Sequence, residues 1–333
     1  MTQSREVRLK AYPPAMPDPS HFEMATVDVP APGAGEVQVR NHWMSVDPYM
    51  RGRMRDVKSY AAPFALGAPM GGGAVGEVIA SNDPSLKVGD MVQSMNGWRE
   101  VFNAPAMSLQ KVDAARIPAQ AYLGVAGMPG MTAYVGLIHM ASLKPGDVVF
   151  VSAAAGAVGQ IVCQIAKIKS HKVIGSAGGA EKCAWLKSIG VDEVIDYRAE
   201  ENLTKALMKA APEGIDVYFE NVGGKHMDAA LAAANPFARF ALCGMIAGYN
   251  DPQGAAVNNL MMAVGKSIRL QGFIVSNHFA QYGADFQRDM VGWIASGQIK
   301  WQETVEDGID NAVTAFLKLF SGENNGKMLV KLS

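Results

Sequence analysis

Residues 148–159, VVFVSAAAGAVG, carry the pattern in this chain that points most directly to chemistry. A run of β-formers stops at an Ala/Gly-rich turn, and an apolar segment of helical character, 160–169, follows at once. A nucleotide-binding βαβ unit opens in this way. Small turn residues let a pyrophosphate approach the backbone, and the N-terminus of the following helix favours its negative charge. The glycines are Gly156 and Gly159; Ala154 stands where the usual first glycine would be, and Ala157 and Val158 complete the turn. Taken alone, the motif also fits a tight strand–helix joint of another α/β protein.

The ends of the following strands supply the rest of a ligand site, because open parallel sheets bind outside their carboxyl edge. The second strand, KVIGSAGG, lacks the Asp or Glu that would select an unphosphorylated ribose diol, and Lys182 follows within a few residues. A small turn plus an ammonium accepts a 2'-phosphate that an acid would repel, so the expected cofactor is NADPH. Lys182 also reads as a solvated helix-end lysine. Asn221, after VYFE and before Val222-Gly223-Gly224, suits the nicotinamide ribose side, and Gly244 suits close backbone approach. Cys243 beside it fits the same site or a small buried apolar position, and Tyr197 fits either core packing or a phosphate contact. Gly178, Phe273 and Val275 complete the expected cofactor-lining set.

No metal set is apparent. The three cysteines, Cys163, Cys183 and Cys243, are widely spaced, and His21, His42 and His139 have no ligand spacing. No Ser/His/Asp or Cys/His nucleophile set stands out. Hydride transfer to the β-carbon of a carbonyl-conjugated C=C bond suits such a site, with negative charge developing on an oxygen that a tyrosine hydroxyl can stabilise. Tyr249, five residues past Gly244, is the expected catalytic donor, with Tyr49 in DPYM as a second donor or a wall. Tyr49 also reads as a packing residue of its domain. Arg51 orients an anionic group or sits in a surface ion cluster. Tyr60, Met131, Tyr134, Tyr249 and Tyr282, with Phe279, are expected to line an apolar, adaptable substrate cleft, although Met131 and Tyr134 also read as core contacts of one helical turn.

Two kinds of element must position these residues. Up to about residue 125, short β-like runs such as EVQVRNH and AVGEVIA alternate with Gly and Pro, which predicts a compact, mostly β domain over 1–125. LKVGD at 86–90 and LKPGD at 143–147 each present a turn before a strand. From 126 to 298, apolar strands alternate with helices at 131–141, 158–169, 181–188, 202–209, 226–233 and 285–296, and strands are expected at 239–243 and 267–275. This predicts a doubly wound parallel sheet covered on both faces. A helical stretch at 308–320 and a last strand at 327–332 form a return segment, 299–333, toward the first domain. At 333 residues, 49% apolar and a formal net charge of -1, the chain gives no sign of a nucleic-acid partner. The absence of an apolar leader, a membrane-length apolar run or a C-x-x-C pair leads to the expectation of a cytoplasmic setting without membrane attachment.

The segments SVDPYMRGRM, MTAYVGL, SAAAGAVGQIVCQIAK, EKCAWLK, DVYFENVGG, ALCGMIAGYN and LFSGENNGKMLVKL together give the chain a family resemblance. It resembles the zinc-independent medium-chain dehydrogenase/reductases over its whole length. The most similar branch contains leukotriene B4 12-hydroxydehydrogenase/prostaglandin reductases, alkenal double-bond reductases and NADPH-dependent curcumin reductases. The resemblance implies a GroES-like β-barrel domain plus a Rossmann domain, a homodimer, and NADPH-dependent reduction of an enone or alkenal, with an NADPH:quinone reductase as the nearest alternative and a non-enzymatic NADPH-binding protein as a more distant one. It matches Ala153, Gly156 and Gly159 to an A-x-x-G-x-x-G turn, Lys182 to the 2'-phosphate lysine, and Tyr197 and Asn221 to cofactor residues. Cys243, Gly244 and Tyr249 match a CG…Y segment, and Asn324, rather than Asn325, matches the asparagine of the G-x-N-x-GK ending. Gly71-Gly72-Gly73 stands where metal-dependent relatives read GHE, which implies no metal.

Overall fold

The computed structural model describes residues Met1–Ser333, which form two compact units, Met1–Leu123 with Glu303–Ser333, and Gly124–Gln302. The sequence reading placed these divisions at 125/126 and 298/299. No helix is long and apolar enough to cross a membrane.

The first unit opens with β1 (Thr2–Leu9) and β2 (Phe22–Val29), an antiparallel pair. β3 (Glu36–Ser45), β4 (Ala74–Ser81), β5 (Met91–Ser94), β6 (Val101–Pro105) and β7 (Gln110–Lys111) follow, and all their pairings are antiparallel. Their inward residues, among them Val37, Val39, Val78, Val92 and Phe102, form one buried cluster.

The second unit alternates as its sequence rhythm predicts. α1 (Met128–Tyr134) continues into a wider π-helical turn, Val135–Met140, and then come β8 (Val148–Val151), α2 (Gly159–Ile168), β9 (Lys172–Ala177) and α3 (Ala180–Ser188). β10 (Glu193–Asp196), α4 (Leu203–Ala210), β11 (Ile215–Glu220), α5 (Lys225–Ala233), β12 (Ala234–Leu242), α6 (Met262–Gly265), β13 (Arg269–Gly272) and α7 (Phe279–Ala295) complete it. The six strands lie in the order β10-β9-β8-β11-β12-β13, all parallel. This is the doubly wound Rossmann order, with its topological switch point between β8 and β11. Central strands covered on both faces need continuous apolar runs, and Val149, Phe150 and Val151 are fully buried. α2 is buried over its first eight residues, as befits a helix enclosed on every side.

β13 is shorter than the strand expected at 267–275, because Val275–His278 closes into a 3-10 turn. α7 starts at Phe279, earlier than expected. The two LK-x-GD turns prove to be the same device. The Asp90 carboxylate accepts the Lys87 N–H at 2.9 Å, and the Asp147 carboxylate accepts the Lys144 N–H at 2.6 Å.

The chain then returns to the first unit through β14 (Glu303–Asp307), α8 (Ala312–Ser321) and β15 (Lys327–Lys331). β15 pairs parallel with β14 and antiparallel with β3. Gly322, in the left-handed conformation, ends α8.

Candidate active site

The turn after β8 is built from its smallest residues. Ala153 adopts a positive φ of 46°, a conformation that disfavours side chains and that the first position of this turn requires. Ala154 donates its N–H to Ser176 O at 2.9 Å, and Gly156 donates to Ala153 O at 2.9 Å. A Cβ on Gly159 would lie 2.4 Å from Ala153 O and 2.7 Å from Ala154 Cα, so only glycine allows α2 to start this close to the strand end. No side chain caps α2, and the N–H groups of Ala157, Val158 and Gly159 make no hydrogen bond within the chain. Three free amides at the N-terminus of a buried helix suit an anionic diphosphate.

The carboxyl ends of β9 and β10 form the next wall. A Cβ on Gly178 would fall 2.7 Å from the Tyr197 hydroxyl and 2.8 Å from Arg198 Nε, which places all three side by side. Asp196 Oδ1 accepts the N–H groups of Gly179 (2.9 Å) and Arg198 (3.0 Å), so the acid at this edge holds the loop together. Burial lowers the Lys182 ammonium pKa, and the neighbouring Arg198 guanidinium lowers it further. Two cations close enough to repel each other beside a glycine cradle suit a phosphate monoester. Lys182 was expected at this edge from the sequence and Arg198 was not. The available signal was a basic residue directly after the strand-end tyrosine. The Tyr197 ring packs edge-on against His226 at 5.2 Å. Burial pushes the His226 imidazole down to about 4. Ser176 Oγ and His226 Nε2 are buried at this edge without a hydrogen-bond partner.

At the switch point, the Ser152 hydroxyl donates to Glu220 Oε1 at 2.8 Å and accepts the Asn221 N–H at 2.9 Å. Asn221 Nδ2 donates to Ser152 O at 2.7 Å. Glu220 O in turn accepts the N–H groups of Cys243 and Gly244. Burial, with the Glu220 carboxylate nearby, pushes the Cys243 thiol up to about 12, so it stays a neutral wall residue. A cavity of about 490 Å³ opens at the carboxyl ends of β12 and β13, with Cys243, Gly244, Met245, Phe273, Asn277 and His278 in its lining. The Tyr249 hydroxyl folds back over Gly244: a Cβ there would lie 2.9 Å from it, and the Met245 N–H donates to it at 3.4 Å. Val275 is buried just beyond Phe273.

Three substrate-lining expectations are corrected. Met131 is fully buried in α1. Tyr134 is nearly so; its hydroxyl donates to Asp289 at 2.7 Å and its ring packs on Phe286 and Trp293, which places it in the interior of the second unit. Helical spacing reveals which residues share a face but not whether that face meets solvent or a neighbouring helix. Arg51 is also fully buried, and its Nη2 donates to Pro13 O (3.2 Å) and Ala15 O (2.6 Å). It pins the 13–15 segment instead of presenting a charge to a ligand, and burial lowers its pKa to about 10. Tyr282 stacks on His139 at 3.7 Å, and Phe279 is exposed.

In the first unit, Tyr49 lies in the 3-10 segment Pro48–Met54, where burial and then the Asp47 carboxylate hold its phenol above the ordinary value. Tyr60 is exposed. Asn324 Nδ2 donates to Gly326 O at 2.9 Å. Sequence reading did not find the buried Lys327, whose Nζ reaches Val46 O at 2.9 Å and Asp47 Oδ1 at 3.1 Å. Asp47 also accepts the Ser45 hydroxyl. No group of three or more His, Cys, Asp or Glu residues is placed to hold a metal ion.

Residues 5–112 match the family model for an N-terminal domain of oxidoreductase, and residues 157–296 match that for a zinc-binding dehydrogenase. The chain is 43% identical to the 2-alkenal reductase (NADP(+)-dependent) of Nicotiana tabacum, over 99% of this chain and 98% of the relative. It is 40% identical to the NADPH-dependent curcumin reductase of Escherichia coli (strain K12), over 99% and 97%. The crystal structure of CurA in complex with NADPH from Vibrio vulnificus superposes with a TM-score of 0.94 at 39% identity, covering 99% of both chains. The chain belongs to the medium-chain dehydrogenase/reductase superfamily, in its prostaglandin reductase and curcumin/alkenal reductase branch. In the terms of that superfamily, the first unit is the GroES-like domain and the second the Rossmann domain. Gly71-Gly72-Gly73 carries no side chain that could ligate the zinc named in the second model's description.

Proposed function

We propose that the chain is an NADPH-dependent, zinc-independent reductase that saturates the C=C bond of α,β-unsaturated ketones and aldehydes. The observation that carries this reading is the Tyr249 hydroxyl, held over Gly244 beside the cavity at the carboxyl ends of β12 and β13. The amides of Ala157, Val158 and Gly159 hold the diphosphate, with Ala153 and Gly156 shaping the turn. Lys182 and Arg198, with Tyr197 and Gly178, hold the 2'-phosphate. Asn221, Cys243, Gly244, Phe273 and Val275 frame the nicotinamide end, and Asn324 is a further cofactor contact. NADPH supplies the hydride that goes to the β-carbon. Tyr249 donates a hydrogen bond to the substrate oxygen where negative charge develops, a placed donor in a site walled by apolar groups. Tyr49, Tyr60 and Tyr282 are the remaining substrate-contact candidates, and water or a tyrosine hydroxyl delivers the proton to the α-carbon.

The decisive experiment compares steady-state rates of the purified chain, with NADPH and with NADH, on an alkenal, a diaryl enone and a benzoquinone. Loss of the C=C bond with NADPH as the preferred donor is the expected result. A faster quinone rate without C=C reduction overturns the reading.

We also infer a homodimer. β13 leaves one edge of the parallel sheet unpaired, and the segment just before it exposes Leu260, Met261 and Val264, the last two at 78% and 75%. Sedimentation as a monomer at micromolar concentration refutes it. The three free cysteines support a reducing, cytoplasmic setting.

A further inference from the structure

Glu220 is a fully buried carboxylate at the last position of β11, at the switch point of the sheet. Three donors converge on one of its oxygens, Oε1: the Ser152 hydroxyl at 2.8 Å, the Tyr218 hydroxyl at 2.7 Å and the Val222 N–H at 2.6 Å. The other oxygen, Oε2, has no hydrogen-bond partner. A buried carboxylate with one oxygen unsatisfied weakens a fold relative to an apolar residue of similar size. Core packing therefore does not account for an acid here, whereas its directional hydrogen bonds offer a reason.

Ser152 has a single hydroxyl proton and three candidate acceptors, Glu220 Oε1 at 2.8 Å, Phe219 O at 3.4 Å and the neighbouring Tyr218 hydroxyl, of which only Glu220 Oε1 belongs to a carboxylate. Glu220 draws the proton by charge and by distance, so the lone pairs of Ser152 Oγ turn toward the Asn221 N–H. Asn221 Nδ2 then closes on Ser152 O, which fixes the side-chain rotamer and leaves Oδ1 available to a ligand. The same carboxylate takes the Val222 N–H, and the Glu220 carbonyl takes those of Cys243 and Gly244. One residue thus ties together the carboxyl ends of β8, β11 and β12.

We propose that Glu220 is a positioning residue of the cofactor crevice, acting through Ser152 to fix Asn221 and Val222 in the geometry that receives the nicotinamide end of NADPH. This rests on the placement of the cofactor over Asn221 given above. Glu220 itself touches neither cofactor nor substrate.

The test is NADPH affinity, measured by fluorescence titration of the purified chain without substrate, beside the melting temperature of the unliganded protein. Ser152→Ala is expected to weaken binding about tenfold, the equivalent of one misdirected hydrogen-bond set. Its unliganded melting temperature should fall by about 3–12 °C for the donor taken from Glu220, leaving the protein folded at the assay temperature, and kcat at saturating NADPH should change less than KM. Glu220→Ala should weaken binding at least as much. Glu220→Gln keeps an acceptor at Oε1 and should restore affinity to within about threefold of the parent. If Glu220→Ala does not fold, Ser152→Ala and Glu220→Gln carry the test. Asn221→Ala separates the two levels of the argument. Weakened binding in Asn221→Ala with parental affinity in Ser152→Ala overturns the positioning role alone. Parental affinity in Asn221→Ala overturns the cofactor placement and the positioning role with it.

Discussion

Two glycines three residues apart in the same turn should fail in different ways when each gains a methyl group. At Gly159, an added Cβ meets backbone at 2.4 Å and 2.7 Å. An ordinary C···O contact is about 3.4 Å, so either the turn or the helix must move by about 1 Å. Overpacking of this kind costs about 1–3 kcal/mol, or about 2–12 °C in the melting temperature of a unit this size. At Gly156, the same methyl meets only Ala153 O, at 3.2 Å, and is otherwise in open space. The fold should accept Gly156→Ala with a loss below about 1 kcal/mol, within the range of substitutions that break no packed contact. The open space is where the diphosphate must approach the free amides, so NADPH affinity should fall about 10- to 100-fold, or about 1.4–2.8 kcal/mol. Melting of the unliganded protein and NADPH titration, run on both variants, separate the two effects. Gly159→Ala with a parental melting temperature, or Gly156→Ala with parental affinity, refutes the reasoning for that position.

Tyr249→Phe should lower kcat/KM for an enone about 10- to 100-fold and leave NADPH affinity near the parent, as expected for a donor that acts on developing charge; parental turnover removes Tyr249 from the chemistry. Lys182→Ala and Arg198→Ala should each reduce the preference for NADPH over NADH, by about tenfold for the loss of one charge-assisted contact, and an unchanged ratio in either rules that residue out of the 2'-phosphate site. His226 has a folded-state pKa of about 4 against an ordinary 6.5, so the unfolded chain takes up the proton first on acidification. The stability it permits is complete above about pH 6.5 and falls through about pH 4 by about 3 kcal/mol, which acid denaturation profiles of the parent and His226→Phe should show as a flatter slope in the variant.

The alternation of strands and helices after residue 148 was legible because each signal is local: apolar runs, glycine-bearing turns and helical spacing lie within a dozen residues of one another. Strand ends then gave Asn221, Gly244 and Tyr249 by position along the sheet edge. Other features depend on which strands become neighbours, which no local window contains. The network of Ser152 with Glu220 joins β8 to β11, and Arg198 comes beside Gly178 and Lys182 only because β10 lies beside β9. The pairing of Lys327 with Asp47 joins the far ends of the chain. Met131 and Tyr134 show the opposite limit. Their spacing places them correctly on one helix face, yet only the packing of α7 against that face settles that it is interior.

The return of β15 to a seat between β14 and β3 sets an order of events during synthesis. Residues Gly124–Gln302 form a contiguous compact unit, able to close before residues 303–333 have left the ribosome. The first unit has no such option. Its sheet lacks a strand, and Asp47 lacks its buried cation, until Lys327 emerges. The nascent chain therefore carries an unfinished β-edge until β15 has been made. Stop codons or frameshifts that remove residues 327–331 should be disproportionately harmful, because they take away an interior strand and leave the Asp47 carboxylate buried without its cation.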